Sequence, residues 1–225
     1  LVDTPLTPDT GGAFSIAAWV RPSDPITSQR TIAGASDGHP QLAVESDGKP
    51  VVRFADTGGG LSSAAGTTVL SPGSWAHVAG VYDGTSLSVY VDGVPEGSST
   101  PLDTPVVGVS PLQIGGALSG QFFPGLIDEV GLWSRALTRD EITAAMADFA
   151  KAATSTAGDL LAHYDFDAGF ADDRAGTNDG IMLNGAETAL IPAATLSRLQ
   201  ADFGVVDIGR SADVRLSLTN SGSAP

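Results

Sequence analysis

Residues 122–146, FFPGLIDEVGLWSRALTRDEITAAM, read as a strand that runs into a capped helix, and the rest of the chain is arranged around them. Ile127, Val130, Leu132 and Trp133 form an apolar run, and Gly125 frees the backbone just before it. Ile127 and Val130 differ in parity, so a regular one-faced strand would send one of them to water. Two solutions are open: the strand is covered on both faces, or a bulge at Asp128-Glu129 shifts its phase. Thr138 and Glu141 have the S/T-x-x-E spacing of a capping box, which satisfies two otherwise orphaned amides of a helix beginning there. Ile142, Met146 and Phe149 follow at i, i+4 and i+7, an apolar stripe suited to docking on a sheet.

Upstream, the pattern is that of strands. Phe14, Ile16, Ala18 and Val20 alternate with Ser15, Ala17 and Trp19, a half-buried strand ended by Arg21-Pro22. Thr31 to Ala35 is a short strand candidate. Gln41 to Ser46 and Pro50 to Ala55 flank Asp47-Gly48, a hairpin signal. Thr57 to Gly66 reads as a flexible glycine-serine loop, and Thr68 to Leu70 as another short strand. Trp75 to Tyr82, Asp83-Gly84, Leu87 to Val91 and Asp92-Gly93 make a meander, and Leu112 to Gly116 leads through a loop into the opening stretch. Short strands at this spacing, with one helix, predict an all-β, two-sheet antiparallel sandwich.

Downstream, Leu160 to Asp167 is a further strand, followed by the acid-rich loop Ala171 to Gly180. It either begins a truncated second repeat or closes the first domain. Closure is favoured, because half a sandwich would leave its apolar face in water and domain termini usually lie close together. The expected organisation is one domain over 1–191, closed by 160–191, then a linker over 192–198 and an incomplete module over 199–225. About 25 residues cannot bury a core alone.

The formal charge is −15 and the pI near 4.2, which argues against nucleic acid and anionic membranes as partners. Cationic ligands, calcium among them, suit that balance, although an acidic surface also simply keeps a secreted protein soluble. The chain has no cysteine, hence no disulfide and no thiolate chemistry. No run of 18 apolar residues is present to span a membrane as a helix.

The order G-x-I-D-E-V-x-x-W-x-R-A-L-T-x-x-E-I from Gly125 to Ile142 resembles the closing strand and helix of laminin-G-like, concanavalin-A-type jelly rolls, a family that includes the pentraxins. W-x-H-V-A-x-x-Y-D-G from Trp75 and L-x-V-Y-V-D-G from Leu87 resemble that family's central hairpin. The likeness is nearly continuous from Phe14 to Met146. It implies a jelly roll serving in non-catalytic carbohydrate recognition or adhesion within a large secreted or cell-surface bacterial protein, with a glycan or extracellular protein as ligand and neighbouring domains beside it. A spacer domain and an accessory domain of a glycan-active enzyme are the rivals. Strands at 201–209 and 214–222 resemble the start of an immunoglobulin-like module. Pentraxins join the strands matching Phe14–Val20 and Trp75–Tyr82 by a disulfide; the matching positions here are Ala17 and Ala79, which should be cross-strand neighbours.

The chemistry suggested by the sequence is sparse. Glucanases of this architecture carry E-x-D-x-x-E, two carboxylates facing one cleft. The nearest string, Glu45-Ser-Asp-Gly-Lys-Pro50, lacks the second glutamate and sits in a turn. Asp128 and Glu129 are adjacent and on a regular strand would point to opposite faces. A structural calcium is the better hypothesis: Asp165 and Asp167 share one strand face, and Asp173, Asn178 and Asp179 lie in the following loop, all hard oxygen donors. Asp37 and Gln121 match pentraxin ligand positions, but the matching loop, Ile114 to Phe123, lacks the family's acids. For a glycan, the candidates are Phe122 and Phe123, consecutive in a loop so that one should face outward, with Gln121 and the outward-facing Trp19.

Overall fold

The computed structural model describes residues 1–8, 12–34, 40–107, 110–117, 120–149, 158–167, 170–183 and 185–188. The expected linker (192–198), the expected incomplete module (199–225) and Asp37 lie outside these residues. Residues 1–189 make one compact unit.

Two antiparallel sheets are stacked in it. One has seven strands: β13 (Ile181–Met182), β1 (Val2–Asp3), β10 (Gln113–Ile114), β3 (Arg30–Gly34), β4 (Gln41–Val44), β5 (Pro50–Ala55) and β6 (Leu61–Ala65), in that spatial order. The other has six, in the order β12 (Leu160–Tyr164), β11 (Gly125–Trp133), β2 (Phe14–Pro22), β7 (Ala76–Tyr82), β8 (Leu87–Val91) and β9 (Val94–Ser99). Phe14, Ile16, Ala18 and Val20 of β2 face Ile32, Leu42, Val52 and Phe54 of the opposite sheet in one continuous apolar core. Phe14, Phe54 and Tyr82 meet there, with ring centroids 5.0–6.0 Å apart.

The β11 parity conflict is resolved by both devices at once. Asp128 lies opposite Trp19 and Gly131 opposite Ala17, so three steps on β11 match two on β2, and Glu129 takes a left-handed φ of 49°. Beyond this bulge the strand is buried on both faces. Val130 and Leu132 enter the inter-sheet core, while Trp133 enters a second cluster outside the six-stranded sheet. That cluster is roofed by α1 (Arg139–Ala147), which contributes Ile142 and Ala145, followed by Phe149. The capping box is present in both directions: Glu141 N donates to Thr138 Oγ1 at 3.3 Å, and Thr138 N donates to the Glu141 carboxylate at 2.8 Å. Arg135 adds a forked pair to Glu141 at 2.6 and 2.9 Å and a bond to Asp159 at 3.0 Å.

The floor under α1 is built of small residues. Gly131, Ala17 and Ala79 lie side by side in register across three strands, and Tyr90 bounds the row on a fourth. Ala17 and Ala79 are thus direct cross-strand partners, as the alignment predicts, and Trp133 and the helix fill the space above them.

Two expectations are overturned. Leu61–Ala65, read as part of a flexible loop, is the edge strand β6, fully paired with β5, with Ala64 turned into the core. Its serines and alanines have little strand propensity, and the neighbouring strand imposes the conformation. Thr68–Leu70 is not a strand; the Thr67 and Thr68 amides are instead bound by the Glu96 carboxylate at 2.8 and 2.9 Å.

At the other end, β12 pairs with β11 and β13 with β1. Regular strand geometry stops at Tyr164, because Phe166 has a φ of 53°. Asp165 and Asp167 therefore do not share a strand face.

Candidate functional site

The outer face of the seven-stranded sheet carries a polar row. Asp3, Gln113, Gly34, Gln41, Arg53 and Ser63 are consecutive partners across six strands. Facing partners project to the same side, so these side chains form one line. Gly34 interrupts it, since a Cβ there would lie 2.7 Å from the Gln41 Cα.

Hydrogen bonds run along this face in one direction. Arg53 Nε donates to Gln41 Oε1 at 2.7 Å, Gln41 Nε2 to Thr31 Oγ1 at 3.2 Å, and Thr31 Oγ1 to Gln121 Oε1 at 3.3 Å. Arg53 is anchored from behind by Glu45 at 3.2 Å. Gln121 ends the relay at the surface, held in a left-handed conformation with φ 61° while its carbonyl accepts the Thr31 amide at 3.0 Å.

The adjacent phenylalanines divide as the loop reading requires. Phe122 is 41% exposed beside Thr31, its ring over Gly116. Phe123 is buried in the inter-sheet core, which takes it out of the surface set. Trp19 is on the other sheet, on its outer face, and shares nothing with this row.

The proposed calcium ligands form a tightly bonded loop. Asp173 Oδ1 accepts the His163 and Ala175 amides, both at 3.0 Å, and Oδ2 accepts the Asn178 amide and side chain at 3.2 and 3.0 Å. Asp179 accepts the Asp173 amide at 2.9 Å, and Asp165 is paired with Arg174 at 2.7 Å. The Asn178 carbonyl takes the Tyr164 hydroxyl at 2.8 Å. Among the described residues no group of three acids or histidines converges as metal ligands. Both oxygens of Asp173 are thus already taken by amides of the loop.

Asp128 and Glu129 also differ from the regular-strand expectation. The bulge turns both outward: Asp128 faces Trp19's side of the sheet, and the Glu129 carboxylate meets His163 Nε2 at 2.5 Å. The His163 ring stacks on Phe149 at 3.7 Å. Burial pushes the Asp128 carboxyl up to about 6, against the pull of the Glu129 amide and with help from the charges of Glu129, Asp167 and Asp165.

Arg53, Gln41 and Thr31 were not singled out from sequence. The signal was a polar residue in each of two strands joined by a hairpin, but its use depends on the turn. Val44 pairs with Pro50, which fixes Gln41 opposite Arg53.

Stacked antiparallel sheets with a helix on the outside of the smaller one define a concanavalin-type jelly roll. A sequence profile of the concanavalin A-like lectin/glucanases superfamily, of laminin G type, matches residues 1–143, and the chain belongs to that superfamily. Among solved structures, a provisionally designated carbohydrate binding protein from Bacteroides ovatus superposes with a TM-score of 0.63 at 21% identity, over 84% of this chain and 58% of that one. Domain 4 of AbnA, an extracellular GH43 arabinanase from Geobacillus stearothermophilus solved with arabinotriose, gives 0.48 at 26% identity, over 59% of this chain and 66% of that one. A SAP-like pentraxin from Limulus polyphemus gives 0.45 at 18%, over 59% and 69%. The chain thus spans less than two thirds of the Bacteroides protein's length. No curated protein matches it.

Proposed function

We propose that this domain is a non-catalytic carbohydrate-recognition module of a secreted or cell-surface protein, binding through the outer face of the seven-stranded sheet. The observation that carries this reading is the amide–guanidinium relay from Arg53 to Gln121, ending beside the exposed ring of Phe122. Amide and guanidinium groups held rigidly by one another match the paired hydroxyls of a sugar, and an adjacent aromatic face suits its C–H side. Membership of a superfamily of lectins and glucanases supports the ligand class, as does the designation of the Bacteroides relative. Adhesion and neighbouring domains belong to the same proposal.

Catalysis is not part of it. Asp128 bonds back to the Glu129 amide at 2.9 Å, and Glu129 is engaged by His163, so neither carboxylate is set across a cleft from the other.

A glycan array with the intact chain tests the reading. Retention on at least one glycan is expected, weakened about tenfold by Phe122→Ala, the loss of one stacking contact. A rival reading, an architectural spacer, has its own support: Thr31, Gln41 and Gln113 are buried, at 1%, 9% and 2% exposure, so much of the row is already covered. An array with no retained glycan would favour the spacer, whereas retention indifferent to Phe122→Ala and Gln121→Ala would place glycan binding away from this face.

A further inference from the structure

Two of the three tryptophans fill no core. Trp133 is 1% exposed within the outer cluster, whereas Trp19 and Trp75 are partly exposed and belong to neither apolar cluster. Trp19 lies in register between Asp128 of β11 and His77 of β7, so all three project from the outer face of the six-stranded sheet. Trp75 immediately precedes β7, two residues before His77. Ala76, the first residue of β7 and the partner of Val20, is extended strand between Trp75 and His77. Alternation then puts Trp75 on the same face as His77, diagonal to Trp19. Arg21, next along that face, donates Nε to the Gly73 carbonyl at 2.8 Å and holds the turn that presents Trp75.

Beside Trp19 sits an unsatisfied group. His77 is 1% exposed, its ring meets Trp19 edge-on at 5.5 Å, and its buried Nδ1 has no hydrogen-bond partner. Burial lowers the imidazole to about 4, so it is neutral and one ring nitrogen is an acceptor. Asp128 uses Oδ1 for the Glu129 amide and leaves Oδ2 to accept.

We propose that the Trp19–Trp75 strip is a binding platform for a neutral oligosaccharide, a second contact surface on the side of the sandwich opposite the Arg53–Gln121 relay. Its ligand class follows from the strip's own chemistry. Flat indole faces suit the C–H faces of sugar rings, and the Asp128 carboxylate at the strip edge suits a hydroxyl donor. The strip itself carries one cation, Arg21, and one acid, Asp128, which do not pair, and the chain's charge of −15 repels acidic polysaccharides and phosphates. The platform shares the carbohydrate reading of the other face but none of its residues.

Acrylamide quenching of tryptophan emission tests it, because buried Trp133 is shielded and the signal comes from Trp19 and Trp75. The probes are arabino-, xylo-, cello- and mannohexaose. At least one should protect the emission, and Trp19→Ala or Trp75→Ala should weaken its binding at least tenfold with an unchanged melting temperature. Trp19→Phe and Trp75→Phe should retain part of the affinity, and Phe122→Ala should leave this titration unchanged. Absence of protection by all four sugars overturns the platform, as does affinity that survives both alanine substitutions. Array binding lost on Phe122→Ala, without tryptophan protection, overturns the platform while the proposed function stands. Tryptophan protection without any effect of Phe122→Ala or Gln121→Ala supports the platform and removes the other face. A sedimenting dimer dissolved by Trp19→Ala would assign the strip to a second copy of the chain and refute the glycan.

Discussion

Replacing Gly131 by alanine should destabilise the domain through space alone. Gly131 sits in the row of small residues under α1, and its φ is not in the left-handed region, so backbone strain does not enter. A Cβ there would press on Trp133 Cη2 and lie 2.5 and 2.7 Å from two carbons of the Phe149 ring. Carbon contacts are comfortable only from about 3.5 Å, so both rings must retreat by about 1 Å. Neither has room: Trp133 and Phe149 are 1% and 3% exposed, stacked on each other at 5.3 Å, with Phe149 also stacked on His163 at 3.7 Å. Overpacking of this kind costs about 1–3 kcal/mol, and disturbing an aromatic stack adds roughly 0.5–1.5 kcal/mol. Reduced unfolded-state entropy gives back about 0.4–1 kcal/mol, leaving a net loss of about 1–3 kcal/mol. For a unit of this size that is a fall in melting temperature of about 3–10 °C. Urea unfolding should show a lower midpoint with an unchanged slope. In a double-mutant cycle with Phe149→Leu the two changes should couple by about 1 kcal/mol or more, since the smaller side chain relieves the clash. A midpoint unmoved by Gly131→Ala, or zero coupling, would refute the close-packed floor under the helix.

The double change Ala17→Cys, Ala79→Cys should oxidise spontaneously, because the two positions are direct partners; closing a loop of about sixty residues is worth about 4 kcal/mol before the crowding of Trp133 is subtracted. Reduced thiols after air oxidation would contradict the register. Glu141 is held down to about 2, first by its bonds to Arg135, so its contribution is full above the ordinary carboxylate value and vanishes as pH falls through about 2. Because the pair is partly exposed, Glu141→Gln should cost only about 1 kcal/mol at pH 7, and the stability curves of the two proteins should converge near pH 2. Deleting residues 158–191 should abolish cooperative unfolding, since β11 loses its outer partner and its amides are left open; an unchanged melting temperature would place the domain boundary before β12. Calcium should raise neither heat in calorimetry nor the melting temperature, given how the oxygens of Asp173 are used; a rise would show that the loop reorganises to admit the ion.

The elements legible in the sequence were those whose signal is local. A capping box needs only Thr138 and Glu141, and the parity conflict in β11 announced its own bulge. Turns were less transparent. The three Asp-Gly pairs that join hairpin strands end in three different loops. Asp92-Gly93 is a two-residue turn with both φ angles positive, 49° and 72°. Asp83 instead leads a four-residue loop, accepting the Thr85 and Ser86 amides at 2.8 and 2.7 Å. At Asp47-Gly48 the loop closes between Glu45 and Lys49, with Gly48 alone left-handed. A two-residue turn there would shift β4 against β5 by one residue and face Gln41 with Phe54, so the relay could not be read without the loop. Trp19, Trp75 and Trp133 look alike in a strand pattern. What separates them is the helix, which covers Trp133 and leaves the other two uncovered. The acids of 165–179 were visible as oxygen donors but not as acceptors already used by the loop's own amides, which depends on the turn after Tyr164.

The edge of the seven-stranded sheet is assembled from three scattered pieces: Val2 lies between Ile114 and Met182. The Leu183 amide donates to the Leu1 carbonyl at 2.8 Å, across 182 residues of chain. Closing a loop that long costs about 4–5 kcal/mol of chain entropy, recovered only when all three strands have arrived. β1 meets β10 midway along the domain but waits through nearly all of it for β13. Until then β1 presents an open edge where β13 will sit, and β11 a bare one where β12 will sit. Such a topology folds late and all at once, and in the interval it is exposed to pairing with another nascent copy. For this protein the vulnerable moment is birth, and expression yield should respond to prompt delivery of the last strands more than to further stabilisation of the finished sandwich.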